Sequence, residues 1–274
     1  YQGRDKGLDR YVAIKAIINP VFNDEFVETL KTATKINDCV TNSISILGAY
    51  VTKDPMHVIM PYLQGGSLRR TINENEGEPL PYDYVKEVLL KIGNALVKIH
   101  QKEIYHFNVK PSNIILNNNE PYLNPLTRVQ KIVKGAVIKK LSDTSAFSDA
   151  AVYKEELCYL PPEKFDNIPG NDPLPKGSEK IDQYMLGLVG YELLTGSIPD
   201  TVSDIADLRE NGISAFKPLG SVAEIRKDCP HKFSRIIHKM IDYDPGNRYD
   251  SLEDALNAIE EVSFDHFEIA KDSY

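Results

Sequence analysis

A nearly all-apolar stretch from Ile181 to Leu194 constrains the fold of this chain more than any other feature. A helix that is apolar on every side must be buried on every side, so the surrounding chain has to supply a wide core. The chain has 274 residues. A protein of that size buries roughly three quarters of the surface of its unfolded chain. We therefore expect a large helical core around this stretch, without help from disulfides or a metal.

The composition argues against several classes of partner. Lys and Arg number 32 and Asp and Glu number 40, which leaves a formal net charge of −8. This charge repels the phosphates of nucleic acids and anionic lipids, so we expect no nucleic-acid partner. No apolar run is long enough to span a membrane and no signal-peptide pattern opens the chain, which predicts a cytoplasmic location. The three cysteines lack metal-ligand spacing and are expected to be free thiols.

The beginning of the chain predicts a small, strand-rich region. The β-branched and apolar run Tyr11–Ile18 predicts a buried strand, and Ile44–Val51 and His57–Tyr62 predict two further strands. Between the first two, Asn23–Ile36 carries apolar residues at helical spacing behind a good N-cap residue.

Helical periodicity dominates the rest of the chain. Amphipathic helices are predicted over Tyr84–His100, Ser234–Ile241 and Leu252–Val262, in addition to the apolar helix described above. The sequence thus predicts an α+β fold of two lobes. A small β-rich N-lobe is expected over residues 1–63 and a larger α-helical C-lobe over residues 64–274.

Short motifs follow one another along the chain in a characteristic order, although each is unspecific by itself. In chain order they are Val12-Ala13-Ile14-Lys15, Val58-Ile59-Met60-Pro61-Tyr62-Leu63, Gly65-Gly66-Ser67-Leu68, Tyr105-His106-Phe107-Asn108-Val109-Lys110-Pro111-Ser112-Asn113, Leu141-Ser142-Asp143, Tyr159-Leu160-Pro161-Pro162-Glu163, Asp182, and Asp244-Pro245 with Arg248. Together they resemble the eukaryotic-type protein kinase family, Ser/Thr branch, over nearly the whole chain. The resemblance implies a bilobal kinase-like fold.

The resemblance also implies a nucleotide site between the lobes. Lys15 is expected to contact the α- and β-phosphates of ATP, unless its head group lies in solvent. The adenine pocket is expected to be formed by Ala13, Met60, Pro61, Leu63 and Ile115. Proline in the hinge removes nothing that adenine needs, because Pro61 keeps a carbonyl group and Leu63 keeps an N–H group. The sequence is equally compatible with Ala13 and Ile115 as ordinary core residues.

Two further residues match the magnesium ligands of the family. Asn113 offers an amide oxygen and Asp143 a carboxylate, both suited to a hard cation. The alternatives are a turn-forming role for Asn113 and no metal role for Asp143, whose flanking motif is degraded. ATP and Mg²⁺ are therefore candidate ligands, and the sequence leaves open whether they bind.

Other matches imply structural roles. Glu163 and Arg248 are expected to form a buried ion pair that ties the activation segment to the C-terminal helices. Asp182 is expected to accept backbone N–H bonds from the loop around His106, and Lys110 belongs to the same loop motif.

Several departures from the family pattern affect the chemistry. Asn108 replaces the aspartate that acts as catalytic base, and an amide accepts no proton near neutral pH. The remaining losses concern switching and lobe contacts. Phe107 stands in place of an arginine, Glu155-Glu156 in place of Gly-Thr, Thr144-Ser145 in place of Phe-Gly, and Thr32 or Thr34 in place of a glutamate.

Two segments are unusual in length. The glycine-rich phosphate loop is missing, so we expect the N-lobe to be truncated before or within that loop. The interval from Asn113 to Asp143 is much longer than is usual in the family. Its extra stretch, Asn117–Lys139, is predicted to contain a hairpin and is either a surface insertion or a docking element for a protein partner.

These observations favour a pseudokinase, a catalytically impaired kinase-like domain that regulates or binds a protein partner of unknown identity. Whether such a pseudokinase retains ATP and Mg²⁺ binding is left open. The alternative is a Ser/Thr protein kinase of low activity, because phosphoryl transfer depends mainly on positioning and Mg²⁺. A different transfer on the same fold, such as nucleotidyl transfer, is the third hypothesis.

Overall fold

A computed structural model describes residues 1–17, 30–31, 33–34, 40–51, 55–124, 150–165 and 179–264. Its strands are β1 (Gln2–Asp5), β2 (Arg10–Ile17), β3 (Gly48–Tyr50), β4 (Met56–Pro61), β5 (Ile114–Asn117) and β6 (Glu120–Leu123). Its helices are α1 (Leu68–Glu74), α2 (Tyr82–His100), α3 (Ala150–Cys158), α4 (Glu179–Thr195), α5 (Ile205–Asn211), α6 (Val222–Ile225), α7 (His231–Met240) and α8 (Leu252–Glu260). Short 3₁₀ turns lie at Pro111–Asn113, Pro162–Phe165 and Gly212–Ala215.

The first four strands form one antiparallel sheet in the order β1-β2-β4-β3. The register of β2 and β4 places Ala13 opposite Met60 and Lys15 opposite Val58. The apolar side chains of this lobe form a cluster of their own, which consists of Leu30, Ala33, Ile44, Ile46, Val58 and Met60. The strand-rich N-lobe is thus organised around a separate, small core.

The apolar helix α4 forms the centre of the larger lobe. All of its residues from Ile181 to Thr195 are buried, and it packs against α2 and α7 while α8 covers α2. Close approach of these helices requires a small residue at Gly190. A Cβ atom there would lie 2.8 Å from Cδ1 of Ile237 and 3.1 Å from Cδ1 of Leu89. The helices around α4 therefore form the large core that its apolar sequence predicts.

The α+β fold class with a β-rich and a helical lobe is confirmed, while individual boundaries differ. The strand predicted over Ile44–Val51 is shortened to β3, and the helix predicted over Asn23–Ile36 lies mostly outside the described residues, although Leu30, Lys31, Ala33 and Thr34 are helical. The described hairpin joins β5 and β6. The hairpin expected later in Asn117–Lys139 lies outside the described residues, and the lobe boundary at residue 63 stays a prediction.

Two of the three cysteines lie in the described part of the chain. Cys158 and Cys229 are both buried and free, and burial raises the pKa of each thiol to about 11. A thiol with so high a pKa is a poor nucleophile at neutral pH, so these two cysteines serve packing. Among the helices described, none has the length and apolar character required to cross a membrane.

Candidate active site

The segment after β4 runs directly beside β5, where the N-lobe sheet meets the following part of the chain. The N–H of Gly65 donates to the carbonyl of Leu116 at 3.0 Å, and the N–H of Leu116 donates to the carbonyl of Gly66 at 2.8 Å. Glycine is required here, since a Cβ atom on Gly65 would lie 2.7 Å from the Leu116 oxygen, and Gly66 has a φ of +74°. The two glycines therefore let the hinge segment approach the hairpin.

The residues expected to bind the nucleotide lie close to one another near this segment. Ala13, Leu63 and Ile115 are partly buried and pack against the N-lobe cluster that contains Met60. Lys15 is half-buried two residues after Ala13 on β2, so both side chains lie on the same face of the sheet. Pro61 ends β4 opposite Val12. The structure thus brings all six expected nucleotide residues to one region, on β2, β4, the hinge and β5.

Asn113 is held against Asn108 in the loop that contains the motif from His106 to Asn113, which we call the catalytic loop. Its Nδ2 donates to the backbone carbonyl of Asn108 at 2.8 Å. This bond fixes the orientation of the amide and leaves Oδ1 of Asn113 as the acceptor, the atom that a hard cation prefers. Within the described residues, that oxygen makes no hydrogen bond. Asn113 therefore fits the magnesium role that the sequence suggested.

Asn124 is a residue that the sequence interpretation missed. It follows β6 directly, its N–H donates to the carbonyl of Asn113 at 2.9 Å, and Nε2 of His106 lies 3.0 Å from its carbonyl oxygen. Its distance along the chain from Asn113 is also closer to the family interval than that of Asp143, which lies outside the described residues. Asn124 is therefore a second candidate for the position that the sequence assigned to Asp143.

Asp182 holds the start of the catalytic loop from the first turn of α4. It is completely buried, and its carboxylate accepts the backbone N–H groups of His106 at 2.8 Å and Phe107 at 2.7 Å. Phe107 has a φ of +56°, a strained conformation for a non-glycine residue. Burial alone raises the pKa of the Asp182 carboxyl, but the hydrogen bond and charge of His100, together with His106, lower the pKa below its usual value.

Lys110 is paired with two carboxylates that come from α3. Its Nζ lies 2.6 Å from Oε1 of Glu156 and 3.6 Å from Oε2 of Glu155, and the lysine is buried. Glu155 also accepts the backbone N–H of Ser112 at 3.1 Å and Nε of Arg69 at 2.9 Å. Helix α3 is therefore fastened to the catalytic loop by charge-assisted hydrogen bonds.

The same carboxylate belongs to a larger buried group, which we call the ionic cluster. Its members are Arg69, Lys110, Glu155, Glu156 and Glu192. Arg69 binds both oxygens of Glu192 at 2.5 and 2.8 Å. Burial lowers the pKa of Arg69, but its carboxylate partners more than reverse this and keep the guanidinium charged. The cluster joins α1, the catalytic loop, α3 and α4.

Glu163 and Arg248 form the ion pair that the sequence predicts. The two guanidinium nitrogens of Arg248 donate to the two carboxylate oxygens at 2.7 and 2.9 Å. Arg248 also donates to the carbonyls of Asp242 and Lys180, and its guanidinium lies over the ring of Tyr184. The guanidinium group of Arg248 is thus buried, with hydrogen bonds along its edges and an aromatic ring against its face.

The chain belongs to the protein kinase family. Residues 1–259 match the model of the protein kinase domain. A probable serine/threonine-protein kinase of Clostridium perfringens is 26% identical over 97% of this chain, and the serine/threonine-protein kinase PrkC of Bacillus subtilis is 27% identical over 97%. The chain spans only 36% and 38% of the length of these two relatives.

Solved structures support the fold in the same way. The crystal structure of the PknI kinase domain of Mycobacterium tuberculosis covers 95% of this chain, and the chain covers 89% of it. The TM-score is 0.63 at 17% sequence identity, so this likeness concerns the fold.

Among the residues that the structure describes, the metal candidates are amides, because Asp143 lies outside them. No three His, Cys, Asp or Glu side chains come together as a metal site in the part of the chain that the structure describes. The cation ligands that the described loop offers are Asn113 and Asn124, which are oxygen donors without charge. Such a site suits Mg²⁺ carried by nucleotide phosphates better than a permanently bound metal.

Proposed function

We propose that this chain is the kinase domain of a serine/threonine protein kinase of low turnover, which transfers the γ-phosphoryl group of ATP to hydroxyl groups of proteins. The observation that carries the proposal is the assembled catalytic loop. Asp182 fixes its start, and Asn113 is oriented with its amide oxygen available for a cation. Phosphoryl transfer depends mainly on such positioning and on charge stabilisation. The similarity to named Ser/Thr kinases over nearly the whole chain supports the same reaction.

ATP and Mg²⁺ are the ligands that this proposal requires. When bound, they supply the phosphoryl group and neutralise part of its negative charge. Lys15 would pair with the phosphates, the hinge at Pro61 and Leu63 would hold adenine, and Asn113 would bind the cation. Because ATP is the phosphoryl donor, we place the domain on the cytoplasmic side and expect a protein as its substrate.

Low turnover follows from the amides in the loop. Asn108 stands where the family has its base, so the loop itself supplies none of the roughly 10²–10⁴ in rate that general-base catalysis contributes. The proposal is tested by phosphate incorporation into a generic protein substrate with Mg²⁺ or Mn²⁺, in comparison with Lys15→Ala. Incorporation above that of Lys15→Ala supports a kinase, and equal incorporation contradicts it.

The second candidate is a pseudokinase that regulates a protein partner without transfer. The amide at Asn108 favours it, because an unprotonatable side chain performs no base catalysis. A domain that binds ATP but incorporates no phosphate would be of this kind. The same pair of measurements, binding and transfer, thus separates the two candidates.

ATP with Mg²⁺ is expected to stabilise the domain, and Lys15→Ala is expected to remove most of this effect. A ligand that binds only the native state at a hundredfold excess over its Kd adds about 2.7 kcal/mol to the free energy of unfolding. The measurement is a thermal-shift titration with ATP, with and without Mg²⁺. Lys98→Ala removes an exposed lysine and serves as the matched control. An unchanged shift in Lys15→Ala would show that this lysine does not contact the nucleotide.

Asn108→Asp alone is expected to change the transfer rate by less than about tenfold, far from the rate that a general base can contribute. The new carboxylate would stand two residues before Lys110, which already has two carboxylate partners, so it adds negative charge without completing a missing ion pair. The check is the turnover number of the purified variant. Turnover at the level of ordinary kinases, roughly 1–100 s⁻¹, would contradict this expectation.

A further inference from the structure

The catalytic loop lacks a carboxylate at the position of the family's base, but a carboxylate lies next to its lysine. Oε1 of Glu156 is 2.6 Å from Nζ of Lys110. Lys110 follows Asn108 by two residues in the same loop, so the carboxylate is held at the loop in which the base is missing. Helix α3 supplies it from a different part of the chain.

We propose that Glu156 is a catalytic residue and takes the role of general base that Asn108 cannot perform. This inference rests on the proposed kinase function. The carboxylate that the family has in the catalytic loop is here supplied by α3, and Lys110 keeps an acidic partner.

Glu156 is better placed for this role than its neighbour. The side chain of Glu155 is only 4% exposed, and its oxygens are engaged by Arg69, Ser112 and Lys110. The side chain of Glu156 is 20% exposed, so a larger part of it is accessible from solvent. Glu155 is thus a positioning residue that fastens α3, and Glu156 carries the reacting oxygen.

In the proposed transfer step, one bond to phosphorus forms and one breaks. The hydroxyl oxygen of a serine or threonine forms a bond to the γ-phosphorus of ATP, and the bond from that phosphorus to the bridging oxygen breaks, so ADP leaves with the electron pair. The hydroxyl proton passes to the carboxylate of Glu156 and from there to solvent. Lys110 keeps its charge throughout and holds the carboxylate of Glu156 at the loop.

The test is Glu156→Gln in single-turnover phosphate transfer. Glutamine keeps the size of the side chain and an oxygen that accepts the Lys110 hydrogen bond, but it takes up no proton. We expect the transfer rate to fall about 100-fold while the ATP-induced thermal shift stays the same. Glu261→Gln removes the same charge from an exposed pair with Lys232 and is expected to leave the rate unchanged.

Two further measurements separate a base from a structural residue. The fall in rate that protonation of a carboxylate causes at acid pH should be present in the wild type and absent in Glu156→Gln. The double variant Asn108→Asp/Glu156→Gln returns a carboxylate to the loop, and we expect it to recover the wild-type rate to within about tenfold. These readouts also serve if the single variant is less stable.

The outcomes distinguish this inference from the proposed function. If the wild type transfers phosphate and Glu156→Gln transfers it equally fast or faster, the base role is wrong and the kinase function stands. If the wild type incorporates no more phosphate than Lys15→Ala, the kinase function itself fails and the base role with it. A slower Glu156→Gln that is rescued by the double variant supports both.

Discussion

Asp182→Ala is expected to lower the free energy of unfolding by about 3–5 kcal/mol, the usual cost of removing one partner from a buried charged group. The Asp182 carboxylate is 0% exposed and accepts two buried backbone N–H groups, those of His106 and Phe107. Each N–H group left without a partner costs roughly 1–3 kcal/mol. Phe107, whose φ is +56°, would also lose the bond that holds its strained backbone.

The measurement is urea unfolding of the purified domain, followed by more than one spectroscopic probe. A lower midpoint with an unchanged slope would report a loss of stability in the folded state. Asp250→Ala removes an exposed aspartate and is expected to stay within about 0.5 kcal/mol of the wild type. If Asp182→Ala unfolded at the wild-type midpoint, the carboxylate would not be supporting the catalytic loop.

The same residue gives a pH dependence whose sign follows from its pKa. The pKa of Asp182 in the folded protein is lowered from the usual 3.8, so its contribution to stability is fully present above that value. The contribution is lost as the pH falls through the lower pKa of the folded state. The stability difference between wild type and Asp182→Ala should therefore shrink as the pH falls below about 4. A difference that grows below about pH 4 would contradict this sign.

The sequence predicts the helical core of the fold well, because the position of a core helix depends on the pattern of apolar residues along the chain. The apolar stretch at Ile181–Leu194 can only be a buried helix, and α4 extends from Glu179 to Thr195. The strand predicted over Ile44–Val51 is shortened to β3 because the first half of the range pairs with another part of the chain. The N–H of Ile44 donates to the carbonyl of Leu123, so this segment joins the N-lobe to the hairpin before β3 begins. Local patterns contain no information about such a distant partner.

In the candidate site too, local features could be predicted from the sequence and contacts between distant residues could not. Residues within one motif, such as Asn108 and Asn113, can be placed from their spacing, and the structure joins them by a hydrogen bond. Asn124 was missed because a better local match to the family motif lies at Asp143. The signal that could have found it is the chain interval after Asn113. The contact of Lys110 with Glu156 joins residues far apart in sequence, which spacing alone does not reveal.

Glu163→Ala is expected to lower the free energy of unfolding by about 3–5 kcal/mol, nearer the lower value. The side chain of Arg248 is 0% exposed and donates to both oxygens of Glu163, so the substitution leaves a buried positive charge without its carboxylate. Two features moderate the loss. Arg248 keeps the carbonyl groups of Asp242 and Lys180, and Glu163 itself is 18% exposed, so water can reach the vacated space.

Differential scanning calorimetry provides the check, with Glu261→Ala as a control for the loss of an exposed ionic partner. At roughly 2–4 °C per kcal/mol for a domain of this size, the Tm of Glu163→Ala should fall by about 10 °C. Glu163→Gln keeps one acceptor for Arg248 and should lie between the wild type and the alanine variant, because a neutral hydrogen bond replaces part of the charged pair. An alanine variant with the wild-type Tm would mean that the pair adds nothing to stability beyond the hydrogen bonds that Arg248 makes to carbonyl groups.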